Sequence, residues 1–115
     1  MKQKFEVELL PEAVEFLNKL DQKAREKIYF NIKKAQFITD NNLFKKLNDE
    51  IWEFRTLFSG KAYRLFSFWD KSGEDKILVV AAHGLLKKSQ KTPPKEIVKT
   101  EGIRKKYFPE KSKLK

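Results

Sequence analysis

The spacing of apolar and polar residues changes several times along this chain, and each change marks an element. Phe5, Val7 and Leu9 alternate with Lys4, Glu6 and Glu8, the period of two that a half-buried strand requires. Pro11 suits the first turn of a helix, where its missing N–H costs nothing, and Val14, Phe16, Leu17 and Leu20 supply an apolar stripe. Asp21 is placed to cap a second helix in which Ile28, Ile32 and Ala35 align at helical spacing, and Asn41-Asn42 is expected to end it. Two antiparallel helices joined by a short turn make an αα-hairpin. From Ile51 the period returns to two. Residues 51–58 and 62–69 read as strands joined by a hairpin turn at Ser59-Gly60-Lys61. A second turn, Asp70-Lys71-Ser72-Gly73, leads to residues 77–82, an unbroken apolar run expected of a central strand buried on both faces. After Thr92-Pro93-Pro94, with Thr92 as the expected N-cap, Ile97, Val98 and Ile103 offer a packing stripe for a last helix that Gly102 weakens.

The order β-α-α-β-β-β-α predicts an α+β domain: a small, mostly antiparallel sheet with an N-terminal helical hairpin on one face, plus a C-terminal helix. A chain of 115 residues suits one hydrophobic core. The single domain is set at residues 1–108, with 109–115 a basic, flexible tail. The longest apolar run is far shorter than the ~20 residues needed to cross a bilayer, and acidic and basic residues stand where a signal peptide needs an apolar stretch. A soluble cytoplasmic protein with no membrane partner is expected.

Charge sharpens this picture. Lys and Arg number 26 against 16 Asp and Glu, a formal +10. Residues 1–84 hold 15 basic and 13 acidic side chains, whereas residues 85–115 hold 11 and 3. A block of like charge favours an anionic partner, with nucleic acid foremost for a small domain. The absence of cysteine excludes disulfides, thiolate zinc sites and a Cys nucleophile, and one histidine excludes a multi-His metal site. No cofactor is expected.

Strand alternation places Glu53 and Arg55 on one sheet face and Arg64 on a face with Phe66 and Phe68. Arg64 is out of place in a strand this apolar: a guanidinium there is either solvated or paired with a group such as Glu53. A structural Glu53–Arg55–Arg64 ion pair is one reading; a pair of guanidiniums gripping a phosphate is the other. His83, closing the buried strand, has an unperturbed pKa suited to acid–base chemistry at neutral pH. Lys87, Lys88, Gln90 and Lys91 follow it directly. No paired-carboxylate metal motif, Gly-rich phosphate loop or Ser elbow is present. Phosphodiester chemistry on such a chain is therefore expected to be metal-independent, with the RNA 2′-OH as nucleophile and cations stabilising the phosphorane.

Three strings carry a family resemblance: Ile51-Trp52-Glu53-Phe54-Arg55, Tyr63-Arg64-Leu65-Phe66, and His83-Gly84-Leu85-Leu86-Lys87-Lys88-Ser89-Gln90-Lys91-Thr92-Pro93. Over about residues 4–107 the chain resembles the phage-derived HigB-like branch of the RelE/ParE toxin superfamily. The resemblance implies a toxin of a type II toxin–antitoxin system that cleaves mRNA on the ribosome, made beside an antitoxin that is often a helix-turn-helix protein. It implies Arg64 as the residue on the scissile phosphate, Arg55 near the basic strand positions, and Lys87 or Lys88 as the basic residue after the last strand. His83, Glu53 and Lys87 all remain candidates for acid and base, with Lys91 and Gln90 as further RNA contacts. Two departures stand out: Gln90 and Thr92 fall where such sites often present a tyrosine, and Glu53 stands where a cation is usual. The alternatives are a ParE-like gyrase inhibitor without enzymatic activity and an inactive phage remnant that binds RNA or an antitoxin.

Overall fold

In a computed structural model describing residues 2–73, 77–87 and 91–113, five strands form one sheet. The elements are β1 (Glu6–Leu9), α1 (Pro11–Asn18), α2 (Gln22–Ala35), β2 (Phe44–Lys46), β3 (Ile51–Phe58), β4 (Lys61–Asp70), β5 (Leu78–Lys87) and α3 (Pro94–Lys113). The strand order is β1-β5-β4-β3-β2, antiparallel except for the parallel β1–β5 pair. Local chemistry explains several boundaries. Pro11 opens α1, and the Asp21 carboxylate caps α2 by accepting from the Ala24 N–H at 2.9 Å. Ser59 and Gly60 both have positive φ, 54° and 75°, the two-residue turn whose twist matches the flanking strands.

Alternation divides the sheet into two covered faces. On one, Phe54, Tyr63, Leu65, Val79 and Ala81 pack with Leu17, Ile28 and Ile32. On the other, Ile51, Phe68, Val80 and Ala82 pack with Ile97, Ile103, Tyr107 and Phe108 of α3. β5 bears out the core of the expected run 77–82, with Val79, Val80, Ala81 and Ala82 buried between helices on both sides, but it begins at Leu78, leaves Ile77 outside it and exposed, and runs on to Lys87.

The structure corrects the expected pattern in several places. α1 and α2 do not form a mutually packed hairpin: α1 lies on β5 and β1, and α2 lies on β3. An eight-residue α1 has one short apolar face, and the sheet takes it through Ala13 and Leu17, leaving Val14 exposed. α2 ends at Ala35 instead of Asn41-Asn42, and the chain then forms β2, too short to show a period. In α3, Ile97 and Ile103 face the sheet but Val98, one residue round the helix, is exposed. Residues 109–113, read as tail from composition, continue α3. There Lys111 Nζ and Tyr107 Oη donate to the buried Asp70 carboxylate at 2.5 and 2.7 Å, with Ser72 Oγ donating to it as well. These bonds hold the Asp70 carboxyl well below the usual carboxylate range despite its burial, and burial together with Asp70 pushes the Tyr107 hydroxyl up.

Gly84 is required by contact. A Cβ built on it would lie 2.6 Å from Cγ and Cε2 of Phe16 and closer still to Cδ2, so α1 reaches β5 only because this position is bare.

Candidate active site

Register brings the chemistry-bearing residues to the α3 side of the sheet, at the end nearer the β3–β4 turn. Lys45 pairs with Glu53, Arg55 with Arg64, Arg64 with Leu85, and Ala62 with Lys87. Directly paired residues project to the same face, so Lys45, Glu53, Arg55, Arg64 and Lys87 all point one way. Glu53, Arg64 and Lys87 are buried, at 2%, 5% and 7% exposure. Four cations therefore surround one buried carboxylate.

Glu53 divides its two oxygens. Oε2 faces both Arg55 Nε and Arg64 Nε at 3.5 Å, while Oε1 accepts a hydrogen bond from Thr92 Oγ1 at 2.9 Å. The expected ion triad is thus present, but its geometry is loose: neither Nε makes a hydrogen bond, although both atoms are buried. Arg64 Nη1 donates to its neighbour's carbonyl, Tyr63 O, at 3.0 Å, and Arg55 Nη1 to Asn41 O at 3.3 Å. Buried guanidinium N–H groups facing a carboxylate beyond bonding distance retain donors for a tetrahedral anion.

Burial lowers the pKa of Arg64, with Glu53 opposing that shift and Arg55 adding to it. Lys87 is shifted the same way, by burial first, then by Arg64, with Glu53 opposing and Arg55 and Lys45 contributing. A lysine whose ammonium is destabilised gives up its proton more readily, which suits it to protonate a leaving oxygen.

His83 goes elsewhere. Phe66 stands between it and Glu53 across the sheet, its ring tilted 37° to the imidazole at 5.0 Å between centroids, and α3 covers His83 to 2% exposure. Thr100 Oγ1 donates to Glu96 O at 2.7 Å, so its single proton is spent and it accepts from His83 Nε2–H at 2.8 Å. The imidazole thereby fastens α3 to β5. Its pKa is lowered by burial and by Lys99, against the opposing effects of Glu96 and Glu12. The unfolded chain takes up a proton below about pH 6.5, whereas folded His83 does so only at lower pH. Its contribution to stability is complete above that value and is lost as pH falls from 6.5 through the folded pKa. Thermal unfolding between pH 7 and pH 5 is expected to show a falling Tm, and His83→Gln to flatten the fall; an equal slope in both proteins assigns it to other groups.

Of the remaining sequence candidates, Lys91 is exposed beside Thr92, while Lys88 and Gln90 lie outside the described residues. Thr92 does not cap α3: the helix begins at Pro94, which puts Pro93 in the cap position, and the Thr92 hydroxyl donates to Glu53. Tyr107 bonds Asp70 and does not supply the missing tyrosine. Lys45 escaped the sequence reading because β2 did; its one available signal was the Lys45-Lys46 pair between Phe44 and Leu47.

Among the described residues no helix is long and apolar enough to cross a membrane. No curated protein matches the chain. The model of the family described as phage-derived protein Gp49-like (DUF891) matches residues 15–105, a span from α1 into α3 that includes every residue of the cationic cluster. The chain therefore belongs to the phage-derived Gp49-like family, which is associated with toxin–antitoxin systems.

Proposed function

We propose that this protein is the toxin of a type II toxin–antitoxin pair and an endoribonuclease acting on mRNA at the ribosome, related to the HigB-like branch of the RelE superfamily. The observation that supports this most is the ring of Lys45, Arg55, Arg64 and Lys87 around buried Glu53 on one rigid sheet face. Glu53 accepts the proton of the ribose 2′-OH, and the 2′-oxygen attacks the adjacent phosphorus. Arg64 and Arg55 stabilise the negative charge that accumulates on the phosphorane oxygens. The bond to the 5′-oxygen breaks, Lys87 protonates that oxygen, and a 2′,3′-cyclic phosphate is left. This route needs a 2′-hydroxyl and the chain's own side chains. Thr92 holds Oε1 of Glu53, so the segment at residues 91–93 shifts for the substrate hydroxyl to take that place.

The test is purified protein with ribosomes programmed with a short mRNA, with and without EDTA. Cleavage that persists in EDTA, ends in a cyclic phosphate and fails on an mRNA with a single 2′-deoxy substitution at the cut site is the expected result. Intact mRNA from a protein that still arrests growth would sink the nuclease reading. Loss of plasmid supercoiling on induction would then move the assignment to a gyrase inhibitor.

Thr92→Val keeps the side-chain shape and removes the donor to Glu53. Cleavage is expected to rise several-fold in that variant, because the carboxylate is freed. A loss as deep as that of an Arg64 variant would instead place the Thr92 hydroxyl in the chemistry.

A further inference from the structure

The opposite side of the molecule carries a second charged surface that the proposed chemistry does not use. α2 spends Ala24, Ile28, Ile32 and Ala35 on the core. At 100° per residue, Lys23, Lys27, Phe30 and Lys34 then fall within one narrow stripe on its solvent side, with Phe37 just beyond the helix in line with them. Phe30 is 59% exposed and its neighbour Tyr29 43%. Large apolar rings in water on a helix that already has a packed face call for an explanation. The lysines are arranged around them: Lys27 Nζ lies 5.1 Å from the Phe30 ring centre and Lys33 Nζ 5.5 Å from that of Phe37. α2 holds five basic residues against the single acid Glu26, which lies beside the stripe and accepts from Gln22 at 3.3 Å. A groove lined by Lys23, Glu26, Phe58 and Lys61 extends the surface to the β3–β4 turn.

We infer that the outer face of α2 is a single-stranded RNA-binding surface, in which Lys23, Lys27 and Lys34 track phosphates and Phe30 stacks a base. Cations flanking an exposed ring, with half-buried Phe37 continuing the line, match a polyanion whose units each carry a flat π face. Three lysines over 11 residues span about 16 Å, enough to follow a strand over several phosphates. An acidic protein with apolar anchors could also meet these groups; lysines repeated along one helix face with a ring between them favour a strand in which charge and flat face recur together. A membrane would need a broader apolar face than two rings supply, and the core has taken that face of α2. The surface lies across the sheet from Glu53 and Arg64, since α2 rests on the face of β3 that carries Thr56, to whose Oγ1 Asn31 Nδ2 donates at 3.1 Å. It therefore does not depend on the nuclease reading.

The experiment uses full-length Arg64→Ala protein as the parent, in which cleavage is strongly suppressed, and a fluorescently labelled 16-nucleotide single-stranded RNA of mixed sequence. Affinity is measured by anisotropy from low to moderate salt. Combined Lys23→Gln, Lys27→Gln and Lys34→Gln substitutions are expected to reduce the magnitude of the log–log salt slope by about 2. Phe30→Ala alone is expected to weaken binding about tenfold with little change in slope. All four side chains lie on the solvent face, and circular dichroism checks that the fold is retained. Absence of RNA binding by the parent, or unchanged affinity and slope in both variants, overturns the inference. So does unchanged RNA binding with lost binding to vesicles of phosphatidylserine and phosphatidylcholine, which would assign the face to lipid. Because cleavage is not the readout, loss of the nuclease reading leaves these outcomes intact.

Discussion

Arg64→Ala is expected to reduce mRNA cleavage by about a hundredfold to a thousandfold, the usual effect of removing one pre-positioned donor to a developing anion. Arg64 is buried mid-strand, fixed by its Nη1 bond to Tyr63 O and by the Glu53 carboxylate, so it is oriented before any substrate arrives. Arg64→Lys is expected to recover little, because an ammonium presents a point charge where the site has room for a planar fork. The same substitutions separate chemistry from structure. Losing Arg64 leaves Glu53 with Arg55 and Thr92 as partners, a tolerable state for the carboxylate. Losing Glu53 strands guanidiniums at the sheet surface, and Glu53→Ala is expected to cost roughly 3–5 kcal/mol of folding stability. Urea unfolding and single-turnover cleavage on the same preparations check both halves. If Arg64→Ala cleaves at the wild-type rate while remaining folded, Arg64 is a structural ion-pair partner and the proposed site is wrong.

Gly84→Ala is expected to destabilise the fold by about 1–3 kcal/mol or more, as overpacking of a tight contact does. The added methyl would enter the Phe16 ring, and two rigid elements meet there: a two-turn helix anchored by Ala13 and Leu17, and a strand buried on both faces. Neither yields cheaply. The discriminating measurement is a double-mutant cycle with Phe16→Leu. If the clash is the cause, the pair is less destabilised than the sum of the singles, with a coupling of roughly 0.5–3 kcal/mol. Strict additivity would move the cause to the conformational freedom of the glycine itself.

How much of this was legible in the sequence depended on length scale. The β3–β4 hairpin, the cap at Asp21 and the shared face of Glu53 and Arg55 follow from local periods, and the structure has them. The Glu53–Arg64 juxtaposition was foreseeable for the same reason, since a tight turn fixes register. Failures came where the answer lay in distant chain. Val14 and Val98 carry apolar side chains at plausible spacings, yet only the packing partner decides which of two neighbouring residues faces the core. His83 looked like a chemical group because its sequence neighbours are lysines, but β5 continues past it and α3, from a later part of the chain, covers it. The near balance of charge over residues 1–84 concealed the α2 stripe, since acids in β1, α1 and the turns cancel it in the sum and not in space.

The parallel pairing of β1 with β5 has a consequence for the order in which the molecule comes into being. Glu6 to Leu9 wait for Leu78 to Ala81, so the first strand synthesised cannot be fully paired until residue 81 of the 115 has been made. The hairpin that joins Glu53 to Arg55 and Arg64 closes over a few residues and can form early. Lys87 and Thr92, the parts of the cationic site supplied by β5 and the approach to α3, arrive last. Long-range strand pairing is also the slow step of folding in such topologies. A nascent chain therefore holds its arginines in place well before it can complete the site, and during that interval β1 and the free edge of β4 wait unpaired for β5, while β5 once made still waits for α3 to cover its second face.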